Sequence, residues 1–147
     1  MTYMLEYRYL GGYIMCIFCK IINNEIPSYK VYEDENFLAF LDISQATLGH
    51  TLVVPKKHYE NIFELPEDSS IFNVVTKLAT KIKKATNCSG INILNNNGAS
   101  AGQTVNHFHI HIIPRYENDK LEINFPSNSL TKEEFNDLLL KINNAIE

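Results

Sequence analysis

Three of the chain's five histidines stand two apart, in the run Asn106-His107-Phe108-His109-Ile110-His111-Ile112-Ile113. Imidazole has an ordinary pKa of about 6.5, so near neutrality it can be nucleophile, acid, base or metal ligand. A spacing of two is the period of a β-strand, which puts the three rings on one face and Phe108, Ile110 and Ile112 on the other, toward a core. A tag-like polar run would be terminal and would not alternate with bulky apolar residues. One metal held by all three rings would need a distorted strand. A rise of roughly 3.3 Å per residue sets His107 and His111 about 13 Å apart, against zinc–nitrogen bonds of about 2.0–2.1 Å. The three histidines are therefore expected to have different jobs.

A second cluster of reactive types is Cys16-Ile17-Phe18-Cys19. A Cys-x-x-Cys pair serves metal binding or redox chemistry, and no thioredoxin-like βαβ pattern surrounds this one. With Cys88 the chain has three cysteines, an odd number that argues against a disulfide framework; Cys88 reads as a plain reduced thiol.

These groups need a scaffold. The 147 residues suit one compact domain, and 45% hydrophobic with 20% charged residues suits a globular fold. A net charge of −4 without a long basic run gives no support for duplex nucleic acid as a partner. No apolar stretch reaches the roughly 20 residues of a membrane span, and no signal peptide is evident. A cytoplasmic protein without a membrane partner is expected. Residues 1–14 carry four tyrosines and a Gly11-Gly12 pair and read as an extension, with Met15 an alternative start and 15–147 the single domain.

A short helix is expected near Phe18, ending before Pro27, then strands at 30–33, 37–41 and 51–54. A long helix after Pro66 carries Ile71, Val74, Val75, Leu78 and Ile82 at helical spacing. Its acids at the start and lysines at the end complement the helix dipole. Strands at 91–94 and about 105–113 follow, separated by a small-residue loop. A last helix starts at Thr131, where Thr131 and Glu134 fit a capping box and Leu130 and Phe135 a hydrophobic staple. It is expected to bury Phe135, Leu138, Leu139 and Ile142. The pieces imply an α+β domain, an antiparallel meander with helices on one face.

The histidine run resembles the motif of the histidine triad (HIT) family, and Gly102-Gln103-Thr104-Val105 before it fits too. The runs 17–22, Glu25-Ile26-Pro27, Phe40-Leu41-Asp42-Ile43 and 50–58 are similar to the Hint-like branch, so the resemblance covers about 16–115. It implies a HIT fold and a homodimer. It also implies a nucleotide hydrolase or transferase that cleaves nucleoside phosphoramidates, dinucleoside polyphosphates or adenylylated small molecules.

In the family the middle histidine, here His109, is the nucleophile that forms a nucleotidyl-histidine intermediate. His111, Gln103, Thr104 and the backbone near Gly102 are the donors implied for the phosphoryl oxygens. Strand propensity is the plainer account of Thr104. Asn96 and Gly98 match the phosphate-side loop, although an ordinary turn favours the same residues. Asp42 is the implied ribose acceptor. Ile17, Phe18, Ile21, Phe40 and Ile43 are the implied walls of a purine pocket, where plain core is the alternative. A purine nucleotide containing AMP is thus the implied ligand, and the histidine mechanism requires no divalent metal.

Zinc-bearing HIT proteins are similar in using the first triad histidine as a ligand. Here that implies Cys16, Cys19, His50 and His107, a closed structural Cys₂His₂ set. His58 reads as part of a solvated turn. The chain departs from the animal Hint proteins, which lack the cysteine pair, and its sequence after Arg115 does not follow theirs. A nucleotide-binding adaptor without catalysis is the alternative function.

Overall fold

A computed structural model describes residues 16–146; the expected extension at 1–14 lies outside them. The elements are α1 (Ile17–Ile22), β1 (Lys30–Glu33), β2 (Phe37–Leu41), β3 (Thr51–Pro55), α2 (Ile71–Thr86), β4 (Gly90–Leu94), β5 (Ile110–Arg115) and α3 (Lys132–Asn143). The five strands form one sheet in the order β1-β2-β3-β5-β4, every neighbouring pair antiparallel. The first three strands are a meander. The chain then crosses through α2 to β4, and β5 fills the gap between β3 and β4.

Alternation along the strands builds two cores. Phe37, Ala39, Val53, Ile110 and Ile112 face Ile71, Val74, Val75, Leu78 and Ile82 of α2, with Phe108 beside them. Leu38, Phe40, Leu52 and Val54 point the other way and pack on Cys16, Phe18 and Ile21. So α1 and α2 lie on opposite faces rather than on one, because β2 and β3 are apolar at odd and even positions alike.

Two further expectations are corrected. The fifth strand starts at Ile110 instead of about 105. The Phe108 amide donates to the Tyr59 carbonyl at 2.7 Å, and the His109 carbonyl accepts from Asn95 Nδ2 at 2.9 Å, so neither joins the ladder. The capping box of α3 forms, with Thr131 N donating to Glu134 Oε2 at 2.7 Å and Glu134 N to Thr131 Oγ1 at 3.2 Å. Its apolar face stays uncovered, however: Phe135 is 57% exposed, Leu138 46%, Leu139 56% and Ile142 64%. The segment leading to α3 leaves the sheet at Arg115, whose guanidinium forks onto Asp119 at 2.8 and 3.0 Å. Among the described residues no helix is long and apolar enough to cross a membrane.

Candidate active site and metal centre

His109 is buried on the α1 face of the sheet. Its Nδ1 lies 2.7 Å from the His107 carbonyl oxygen, which can only accept, so Nδ1 carries the proton and Nε2 keeps a lone pair. The His111 ring lies 4.9 Å away between centroids. A chain of bonds sets its tautomer. The Ala46 amide donates to His50 Nδ1 at 3.2 Å, so His50 is protonated on Nε2, which lies 2.9 Å from His111 Nδ1. His111 thus accepts on Nδ1 and presents an N–H on Nε2. Burial favours these neutral forms. It lowers His109, with the opposing bond to His107 second, and brings His111 down to about 4 with His109 and His50 adding to the effect. His50 is lowered by burial against the attraction of Asp42, whose Oδ2 lies 3.7 Å from His50 Nε2. A lone pair on His109 and an N–H donor on His111, side by side, suit attack on an electrophile that develops negative charge.

Beside the histidines opens an apolar cavity of about 350 Å³. Ile17, Phe18, Ile21, Phe40, Asp42 and Ile43 all line it, so the residues expected for nucleoside binding come together. Ile26, Pro27, Ser28, Tyr29 and Leu52 also line it and were not singled out from sequence. Phe18 joins cavity to histidines, its ring edge-on to His109 at 5.2 Å and to Phe40 at 5.6 Å.

The loop between β4 and β5 is braced from within. Gly98 and Gly102 adopt φ of +89° and +84°, which only glycine takes without strain. Gln103 Oε1 accepts from the Gly98 amide at 2.8 Å, while Gln103 Nε2 donates to the carbonyls of Glu60 at 2.7 Å and Val105 at 3.0 Å. The Gly102 amide is bonded to the Ala99 carbonyl and the Gln103 amide to that of Gly98. The expected phosphate donors Gln103 and Gly102 therefore have their donors committed to the protein. Asn96 Nδ2 reaches the Gly102 carbonyl at 3.5 Å, which fits a turn residue. Thr104 is exposed.

The metal-type cluster differs from expectation in one member. Cys16, Cys19, His58 and His107 bring their donor atoms within 4.8 Å of one another, and His50 is not among them. Strand register is the reason. β3 and β5 run antiparallel with Leu52 opposite His111, so His50, before β3, falls beside His111, and His58, beyond its end, falls beside His107. The signal was present in the chain, since His50 stands immediately before strand β3 and His58 three residues past its end, but only the pairing direction tells the two apart. Cys16 Sγ and Cys19 Sγ lie 3.4 and 3.6 Å from His107 Nδ1, Cys19 Sγ 3.4 Å from His58 Nδ1, and the two Nδ1 atoms 3.1 Å apart. Tetrahedral zinc with bonds of about 2.3 Å to sulfur and 2.0–2.1 Å to nitrogen needs donor separations of roughly 3.3–3.8 Å. These four separations fit within a few tenths of an ångström. His107 Nε2 donates to the Pro55 carbonyl at 2.8 Å, which leaves the Nδ1 lone pair directed into the cluster. Burial and the neighbouring Cys16 push the Cys19 thiol up to about 12, and burial brings His107 down to about 4.

Residues 23–118 match the HIT domain family. The chain is 57% identical over 113 residues to a HIT-like protein of Methanocaldococcus jannaschii, spanning 76% of this chain and 87% of that protein. It is 40% identical over 133 residues to the adenosine 5'-monophosphoramidase hnt1 of Schizosaccharomyces pombe, spanning 90% and 98%. A crystal structure of a HIT family protein from Bacillus anthracis superposes with a TM-score of 0.85 at 53% identity, covering 90% of this chain and 98% of that one. A zinc-bound histidine triad family protein from Mycobacterium smegmatis superposes at 0.65 and 37% identity, covering 85% and 90%.

Proposed function

This chain belongs to the HIT domain family, and from that membership we propose that it is an enzyme that cleaves nucleotidyl P–N or phosphoanhydride bonds through a nucleotidyl-histidine at His109. The observation that carries the reading is the pair of opposed tautomers, a lone pair on His109 Nε2 beside an N–H on His111. The nearby cavity with Asp42 at its rim suits an adenosine, its base between Ile17, Phe18, Phe40 and Ile43 and its ribose hydroxyls on the carboxylate. The phosphoramidase activity of the S. pombe relative points to the same bond type.

His109 Nε2 attacks the α-phosphorus, and the bond to the leaving nitrogen or oxygen breaks with its electron pair. The leaving group takes a proton from solvent, with the hydroxyl of exposed Thr104 as a hydrogen-bond partner. Water then attacks the phosphorus and gives up a proton to solvent, the N–P bond returns its pair to Nε2, and the nucleoside monophosphate departs. His111 donates to the non-bridging oxygens in both steps. Gln103 holds the loop that frames this space. None of these steps needs a divalent metal.

Zinc in the Cys16–Cys19–His58–His107 cluster is part of the proposal, supported by the donor separations and by the zinc-bound M. smegmatis structure. Its role is structural, since all four tetrahedral positions are filled by protein. Two nearby thiols kept for a metal suit a reducing cytoplasm. A homodimer is also proposed. The open edge of β4, with Ile93 and Leu94, and the uncovered face of α3 support it.

The test is AMP release from an adenosine phosphoramidate by the wild type and by His109→Ala. Turnover that falls about 10³-fold or more in the variant supports covalent catalysis. Equal activity in both sinks the mechanism, and AMP binding without any turnover supports an adaptor.

A further inference from the structure

The cluster and the cavity share one short element. α1 has six residues, no side-chain N-cap bond and no acid in its first turn, and a helix of that length does not hold itself together in water. Cys16 is its N-cap residue and Cys19 lies in its first turn, while the other two members of the cluster, His58 and His107, come from the sheet side. The intervening residues Ile17 and Phe18, with Ile21 one turn on, are walls of the cavity. Phe18 also touches the catalytic ring at 5.2 Å and the His107 ring at 5.9 Å. Two donors on α1 and two on the sheet therefore straddle the seam along which the cavity would open.

We infer that metal occupancy of the Cys16–Cys19–His58–His107 cluster sets the affinity for the nucleoside, by clamping α1 as one wall of the cavity. Cys16, Cys19 and His58 are positioning residues in this sense, for none of them lines the cavity. The inference rests on the nucleotide reading above. When the cluster holds zinc, α1 is cross-linked to the sheet through two thiolates and two imidazoles, and the cavity is preformed. When it does not, α1 is retained by apolar packing, chiefly of Cys16, Phe18 and Ile21, without a cross-link. Binding must then order the wall, at a cost to affinity. Phe40 on β2 and Asp42 just beyond its end stay where they are, so the loss falls on nucleotide binding while the fold persists.

The experiment is calorimetric titration of AMP into the full-length protein as the zinc-loaded form, after zinc removal by a chelator, and after zinc is restored. Hydrogen–deuterium exchange across 16–22 and far-UV circular dichroism are followed in parallel. The expected result is AMP affinity at least tenfold weaker without zinc and regained on its return, with 16–22 losing protection and the sheet signal unchanged. His58→Gln, which leaves the sequence of α1 intact, should reproduce the zinc-free behaviour. Equal affinity with and without zinc overturns the inference and leaves the nucleotide reading standing. Loss of affinity only together with the whole sheet signal also overturns it, because the metal is then a general staple. Absence of AMP binding by the zinc-loaded protein sinks the nucleotide reading, and this inference with it.

Discussion

Replacing Gln103 distinguishes a brace from a catalyst. The side chain is 9% exposed and commits its oxygen to Gly98 and both amide hydrogens to Glu60 and Val105, through bonds of 2.8, 2.7 and 3.0 Å. A buried hydrogen bond contributes about 0.5–1.5 kcal/mol net, so Gln103→Ala should destabilise the protein by roughly 3 kcal/mol. An unfolding entropy of about 2.1 cal/mol/K per residue over 147 residues gives about 0.3 kcal/mol/K. The melting temperature should then fall by about 10 °C. The assay is thermal unfolding at fixed zinc and protein concentration, followed at 222 nm, with AMP release measured well below the transition. Gln103→Glu should be at least as harmful, because it keeps the acceptor for the Gly98 amide but turns a carboxylate oxygen onto two carbonyls. If Gln103→Ala melts within 2 °C of wild type while kcat falls about 100-fold, the amide acts on the substrate and the bracing argument is wrong.

Other expectations follow from the same geometry. His58→Ala should purify with little zinc, whereas His50→Ala should keep its zinc and lose roughly 10–100-fold in turnover through a disoriented His111; elemental analysis that reverses the two would restore His50 as the ligand. Because desolvation brings His111 to about 4, kcat/KM should stay level as pH falls through the ordinary histidine value near 6.5, and an acid limb centred there would count against a neutral donor. The folded value lies below the unfolded one, so the unfolded chain binds the extra proton between them. The His111 contribution to stability is full above about 6.5 and declines toward 4, and the urea midpoint should be lower at pH 5 than at pH 7. Leu139→Glu on the exposed face of α3 should convert the proposed dimer to monomer in sedimentation; a wild-type protein that already sediments as a monomer removes that role for α3.

Much of the fold was legible because periodicity reports which residues seek burial. The five positions chosen on α2 are all buried, and the strands at 30–33 and 37–41 stand where the polar turn between them puts them. The cavity walls were legible through the family resemblance. What escaped was relational. Helical spacing on α3 says that Phe135, Leu138, Leu139 and Ile142 want cover, without saying whose surface provides it. The choice between His50 and His58 depended on strand register, which neither residue's own neighbourhood encodes. Gln103 looked like a free amide because its partners, Glu60 and Gly98, are brought to it by tertiary structure.

The place of β5 has a consequence for how the molecule comes into being. It is the last strand to leave the ribosome, yet in the sheet it has a neighbour on each side. Until it is made, β3 and β4 are parallel strands facing an empty slot, each with a bare row of amides and carbonyls open to any passing strand. The same late segment brings His107, His109 and His111. On the proposed roles, a nascent chain stopped before residue 107 is both sticky and inert, lacking His107 of the metal-type cluster as well as the proposed nucleophile. Closing the sheet, completing the Cys16–Cys19–His58–His107 cluster and placing the His109 ring beside the cavity are a single insertion event, made by contacts distant in sequence and so late in folding.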